Sequence, residues 1–131
     1  MGLAEKRMLA QLRDEVAPKY EGELREITGS EIAYDIDWDS FAGSMAAMGN
    51  LEDKALKPLS EIFRKITADK LGKEAVSEGV QSISLSHDKD APSNVADLTL
   101  KGGVLTVRWD WEGWAGSFFP GSVQEKIESM L

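Results

Sequence analysis

The chain has 131 residues, 42% of them hydrophobic and 29% charged, a composition that suits one globular domain and is far from that of a disordered chain. With no cysteine and a single histidine, disulfides, thiolate catalysis, Cys-based zinc centres and any site built on two imidazoles are excluded. The 23 acidic residues against 15 basic ones leave a net charge of −8, which repels nucleic-acid phosphates and anionic membranes and favours cations or a basic protein partner. No apolar run approaches the roughly eighteen residues of a bilayer span, and the N-terminus lacks a signal-peptide core, so a cytoplasmic location is expected, with no membrane and no nucleic acid as partner.

Met8, Leu9, Leu12 and Val16 share one face at helical spacing over Leu3 to Ala17. Pro18 interrupts that pattern, and Tyr20, Leu24 and Ile27 carry the stripe on to a stop at Gly29, so two successive helices are expected. Glu31 to Asp39 alternates Ile32, Tyr34, Ile36 and Trp38 with small or acidic residues, the pattern of a half-buried strand with an acidic outer face. Ser40 to Asn50 is rich in small residues and predicts a loop or one short helix. Leu51 to Leu71 predicts a long helix with Leu59, Ile62, Phe63, Ile66 and Leu71 as its core stripe, kinked or starting anew near Pro58. Gly72 and Gly79 punctuate the connection that follows.

Three more strands are predicted, over 80–86, 97–101 and 104–111, the last two joined by a tight turn at Gly102-Gly103. The loop His87 to Asn94 is turn chemistry throughout, and an Asx-held turn is the favoured reading of Asp88-Lys89-Asp90. Ser122 and Glu125 have capping-box spacing and predict a last helix with Val123, Ile127, Met130 and Leu131 on its apolar face. The expected architecture is a single α+β domain: a mainly antiparallel four-stranded sheet with helices on one face. Its other face would carry Asp35, Asp37, Ser82, Ser84, Thr99, Thr106, Arg108 and Asp110.

One internal similarity stands out. Residues 37–44 are Asp-Trp-Asp-Ser-Phe-Ala-Gly-Ser and residues 110–117 are Asp-Trp-Glu-Gly-Trp-Ala-Gly-Ser, identical at five of eight positions. Both copies fall where an alternating strand enters a Gly-containing loop, which suggests two half-sites about a pseudo-twofold axis. Alternation sends Trp38 and Trp111 toward the core, with Phe41 and Trp114 folding back to pin each loop. Gly43 and Gly116 permit backbone angles that expose carbonyls. Two acids spaced by one residue, with loop carbonyls and a hydroxyl, supply the oxygens a hard cation takes. The metal ligands expected are therefore Asp37, Asp39, Ser40, Asp110, Glu112 and Gly113, with Ca2+ as the cofactor. The competing reading is that the aromatics are core and the acids are solvated, with Arg108 neutralising part of the charge across strands.

No Walker loop, dinucleotide fingerprint or EF-hand pattern occurs. His87 lies among Ser84, Ser86 and Asp88, but sequence neighbours on one strand do not assemble a triad, and His87 is read as a strand-end polar residue. No catalytic residue is assigned, and glycosidase-like use of the paired carboxylates is the weakest reading for a chain this small.

A cysteine-free acidic chain of this length, with two copies of Asp-Trp-acid-x-aromatic-Ala-Gly-Ser, resembles the small acidic calcium-binding proteins of cyanobacteria. The resemblance is one of overall character along the chain and assigns no ligand. It implies a non-EF-hand cytosolic protein that binds two calcium ions and serves calcium signalling. The expected function is non-enzymatic: a calcium buffer or sensor, the alternative being an acidic immunity- or inhibitor-like module that covers a basic partner.

Overall fold

In the computed structural model, residues 2–91, 98–112 and 120–131 are described. The chain opens with helix α1 (Leu3–Gln11), which continues through a π turn (Leu12–Val16) into α2 (Ala17–Thr28). The expected break at Pro18 is absent. A proline inside an α-helix lacks an N–H and strikes the carbonyl four residues back, here that of Asp14. Asp14 lies in the wide turn, where Ala17 N–H donates to Leu12 O, five residues back, so the helix passes the proline without ending. Gly29 closes α2 in the left-handed region (φ 68°), its N–H donating to Arg25 O.

Strand β1 (Ala33–Ile36) follows, then the short helices α3 (Trp38–Phe41) and α4 (Met45–Leu51). A second π turn (Glu52–Leu56) leads into α5 (Lys57–Ile66), and it again brackets the carbonyl that Pro58 would strike. The predicted long helix stops at Ile66, not Leu71. Asp69 starts a separate helix, α6 (Lys70–Gly79), by accepting the Gly72 N–H at 2.7 Å, so Gly72 and Gly79 are helical and Leu71 is 79% exposed rather than core. The remaining elements are β2 (Ser82–His87), β3 (Thr99–Lys101), β4 (Val104–Trp109) and α7 (Pro120–Met130). The last helix begins two residues before Ser122, with Pro120 at the position where a missing N–H does least harm. The predicted start of β3 at Asp97 lies outside the described residues.

The chain is α+β with a four-stranded sheet, as expected, but the sheet is mixed and mostly parallel, in the order β1-β2-β4-β3. β1 pairs parallel with β2, and β2 parallel with β4; only β3–β4 is antiparallel. The expectation of a mainly antiparallel sheet fails twice: α3 to α6 intervene between β1 and β2, and β3 pairs outside β4, which leaves β4 beside β2 and parallel to it. A helical crossover brings a chain back in the same direction. The hairpin is where the sequence put it: Gly102 and Gly103 both have positive φ (57° and 80°), the primed turn that β3 and β4 need.

Tyr34, Ile36, Ile83, Leu85, His87, Leu105, Val107 and Trp109 alternate onto the helix-covered face, most of them buried. The opposite face carries Asp35, Ser84, Thr106 and Thr99 in one cross-strand row, as the alternation predicted. Phe41, Leu51, Leu56, Leu59, Ile62, Phe63, Val76, Val123 and Ile127 from the helices complete the same core.

Two phenols in this core carry a pH prediction. Tyr20 Oη donates to Glu52 Oε2 at 2.9 Å; burial first, then that bond and the Glu52 charge, push its ionisation up from 10.0 to about 12. Burial, with Glu23 and Glu21 nearby, also holds the Tyr34 phenol above its ordinary range. Above pH 10 the unfolded chain loses a Tyr20 proton that the folded chain keeps. The stabilisation is therefore whole below pH 10 and is lost as the pH rises through about 12, by about 3 kcal/mol for Tyr20. Urea melts across that window should show the loss, and Tyr20→Phe should shrink it; equal slopes in the two proteins would refute the assignment.

Candidate functional site

β1, β2 and β4 run parallel, so their carboxyl ends lie along one edge of the sheet, the place where open parallel sheets carry ligands. The edge receives Asp37 after β1, His87 and Asp88 at the end of β2, and Asp110 to Glu112 after β4. Among the described residues, one group gathers metal-ligating atoms: His87, Asp110 and Glu112 each bring one within 4.8 Å of the others. Asp110 is half-buried and Glu112 exposed, while the His87 side chain is only 7% exposed.

The two motif copies do different local work. In the first, Asp37 caps α3: its carboxylate accepts the Ser40 N–H at 3.4 Å, and its carbonyl accepts Ser40 Oγ–H at 2.6 Å. Ser40 Oγ in turn accepts the His87 N–H at 2.9 Å, tying copy one to the end of β2. Asp39 is exposed in the first turn of α3. Phe41 is fully buried and packs on the His87 ring at 5.9 Å between centroids, the pinning role expected of it. In the second copy Asp110 Oδ1 accepts the Glu112 N–H at 3.0 Å, a tight turn that folds the two acids onto one side. Trp111, 2% exposed, is held at three points. Its N–H donates to His87 Nδ1 at 3.1 Å, its indole N–H to Ser86 O at 3.0 Å, and its carbonyl accepts Asn50 Nδ2–H at 2.7 Å.

The expected ligand set is therefore not brought together whole. Asp110 and Glu112 converge; Asp37 and Asp39 do not join them, and Ser40 engages its hydroxyl with Asp37 O and the His87 N–H; Gly113, with Trp114, Gly116 and Ser117, lies outside the described residues. The pseudo-twofold expectation also fails. β1 and β4 run the same way on either side of β2, and Ile36 and Trp109 both face the core, so the copies are related by a sideways step across β2. Arg108 does not reach the motif acids; it pairs with Asp88 at 2.6 Å. Asp88 also accepts the Asp90 N–H at 2.9 Å, the Asx turn predicted there, while Asn94 is outside the described residues.

His87, expected as a strand-end polar residue, is instead a nearly buried member of the site. Strand alternation could have found it, since it continues the buried series Ile83, Leu85 by two. Its chemistry is constrained by its partners. Accepting a backbone N–H at Nδ1 places the ring proton on Nε2, which faces Glu112 Oε1 at 3.4 Å. Nδ1 is then engaged and Nε2 carries the proton, so the donors left for a cation are carboxylate oxygens. That donor set suits a hard, oxygen-seeking divalent ion and not zinc or copper. No helix of the described residues is long and apolar enough to cross a membrane. No family model, curated protein or solved structure matches the chain.

Proposed function

We propose that this protein is a non-enzymatic divalent-cation binder of the calcium class, a buffer or sensor, with Asp110 and Glu112 as its anchoring ligands. The observation that carries the reading is the convergence of these two acids beside a histidine with no spare lone pair. Two carboxylates offer four oxygens, one already held by the Glu112 N–H, and calcium fills the rest of its six to eight positions with carbonyls and water. On sequence grounds the Gly113 carbonyl extends the set. Asp37 and Ser40 act as the brace behind it, and Asp39 as a surface acid.

Calorimetric titration with calcium, read alongside tryptophan fluorescence, tests this. Trp111 sits between the two ligands, so its emission should move on binding. Asp110→Asn and Glu112→Gln should each weaken binding by about tenfold or more, the equivalent of about 1.4 kcal/mol. Asp39→Asn should leave it unchanged. No heat and no change in emission at millimolar calcium would overturn the proposal.

A further inference from the structure

β1 is an edge strand, and an edge strand exposes a row of unpaired N–H and C=O groups to any passing chain. Its odd residues face β2: Ala33 N–H donates to Gln81 O at 3.2 Å and Asp37 N–H to Leu85 O at 2.9 Å. Its even residues face outward, and here the edge is not bare. Arg25 Nε donates to Ile32 O at 3.2 Å, and Tyr34 N–H donates to Glu21 Oε2 at 2.8 Å. Glu21 and Arg25 sit one turn apart on α2 and pair with each other at 3.4 Å. A donor to the carbonyl of residue 32 and an acceptor for the amide of residue 34 is what one residue of a parallel neighbouring strand would supply.

We infer that the Glu21–Arg25 pair is a strand mimic that keeps the β1 edge closed, and that the partner it excludes is the β1 strand of a second copy. Tyr34 presents both its N–H and its C=O outward, so two copies can pair antiparallel about a twofold centred on Tyr34, exchanging both bonds. In that register Asp35 falls opposite Ala33 of the other copy, so no like charges meet within β1; Glu31 and Asp37 come opposite each other only beyond its ends. The Glu21 and Arg25 side chains are 28% and 43% exposed, so they can be replaced without opening the core.

The test is Glu21→Ala/Arg25→Ala, followed by sedimentation and by amide exchange at Tyr34. The double variant should shift from 14.4 kDa to twice that mass as concentration rises, while the wild type and Glu21→Gln, which keeps an acceptor, stay at the lower mass. Its Tyr34 amide should exchange fast when dilute and slow again in the dimer. An unchanged mass with concentration-independent exchange overturns the inference. Should the double variant lose its near-UV tryptophan signal, single substitutions decide. Fast Tyr34 exchange in Glu21→Ala and slow exchange in Glu21→Gln support the mimic; equal rates overturn it.

Discussion

Phe41→Ala is expected to lower stability by about 4 kcal/mol, the usual range for emptying a large aromatic from a closed core, and the melting temperature by ~15 °C for a chain this long. Phe41 is fully buried on a helix of one turn, which has too few hydrogen bonds to hold itself. Its ring packs on Trp38 and on His87, so the cavity would open directly behind the histidine that receives the Trp111 amide. Phe41→Leu keeps most of the volume and should cost less than about 1.5 kcal/mol. Paired denaturation curves check the contrast. A loss below about 1 kcal/mol for the alanine variant would mean that copy one of the motif does not brace copy two.

Gly72→Ala is expected to destabilise by about 3 kcal/mol, the upper end for overpacking, although alanine is the better helix former. An added Cβ would overlap the Ile66 carbonyl oxygen and lie 2.9 Å from its carbon. These are backbone atoms, so relief requires moving α6 off the end of α5. Gly22, exposed in the middle of α2 with nothing within 4 Å, gives the opposite sign: Gly22→Ala should stabilise by about 0.5–1 kcal/mol. Thermal melts of the two variants on opposite sides of the wild type would confirm this; a neutral Gly72→Ala would show that α6 shifts freely.

Periodicity located the four strands among the described residues and the face each one buries, and the glycine pair located the Gly102-Gly103 turn. Strand direction was not legible. It depends on what the connection does in space, and the run between Ile36 and Ser82 became four helices that return the chain parallel. α6 is hidden in the sequence because Gly72 and Gly79 have the chemistry of helix breakers, and the signal that outweighs them is the Asp69 cap at its start. Both copies of the motif do fall at the carboxyl edge of the sheet, but without the symmetry that the duplication suggests. Asp37 and Asp110 are equivalent in sequence and similar in local duty, each holding a nearby backbone N–H, yet only Asp110 has Glu112 and His87 beside it. Copy one turns directly into α3, where Asp37 becomes the cap and Asp39 is left on the surface, whereas Asp110 and Glu112 fold together in a tight turn.

The two π turns bear on the path of the chain. Each holds one residue more than an α-helical turn, and the buried series shows it: Leu12 is followed by Ala17, a step of five, and after Leu51 the second turn buries Ala55 and Leu56 side by side. Beyond each turn the ordinary spacing resumes, through Tyr20 and Leu24 in one helix and Leu59, Ile62 and Ile66 in the other. The turns therefore act as phase correctors. They rotate the apolar stripe back onto the core midway along a helix, at the same place where a proline would otherwise bend the axis away.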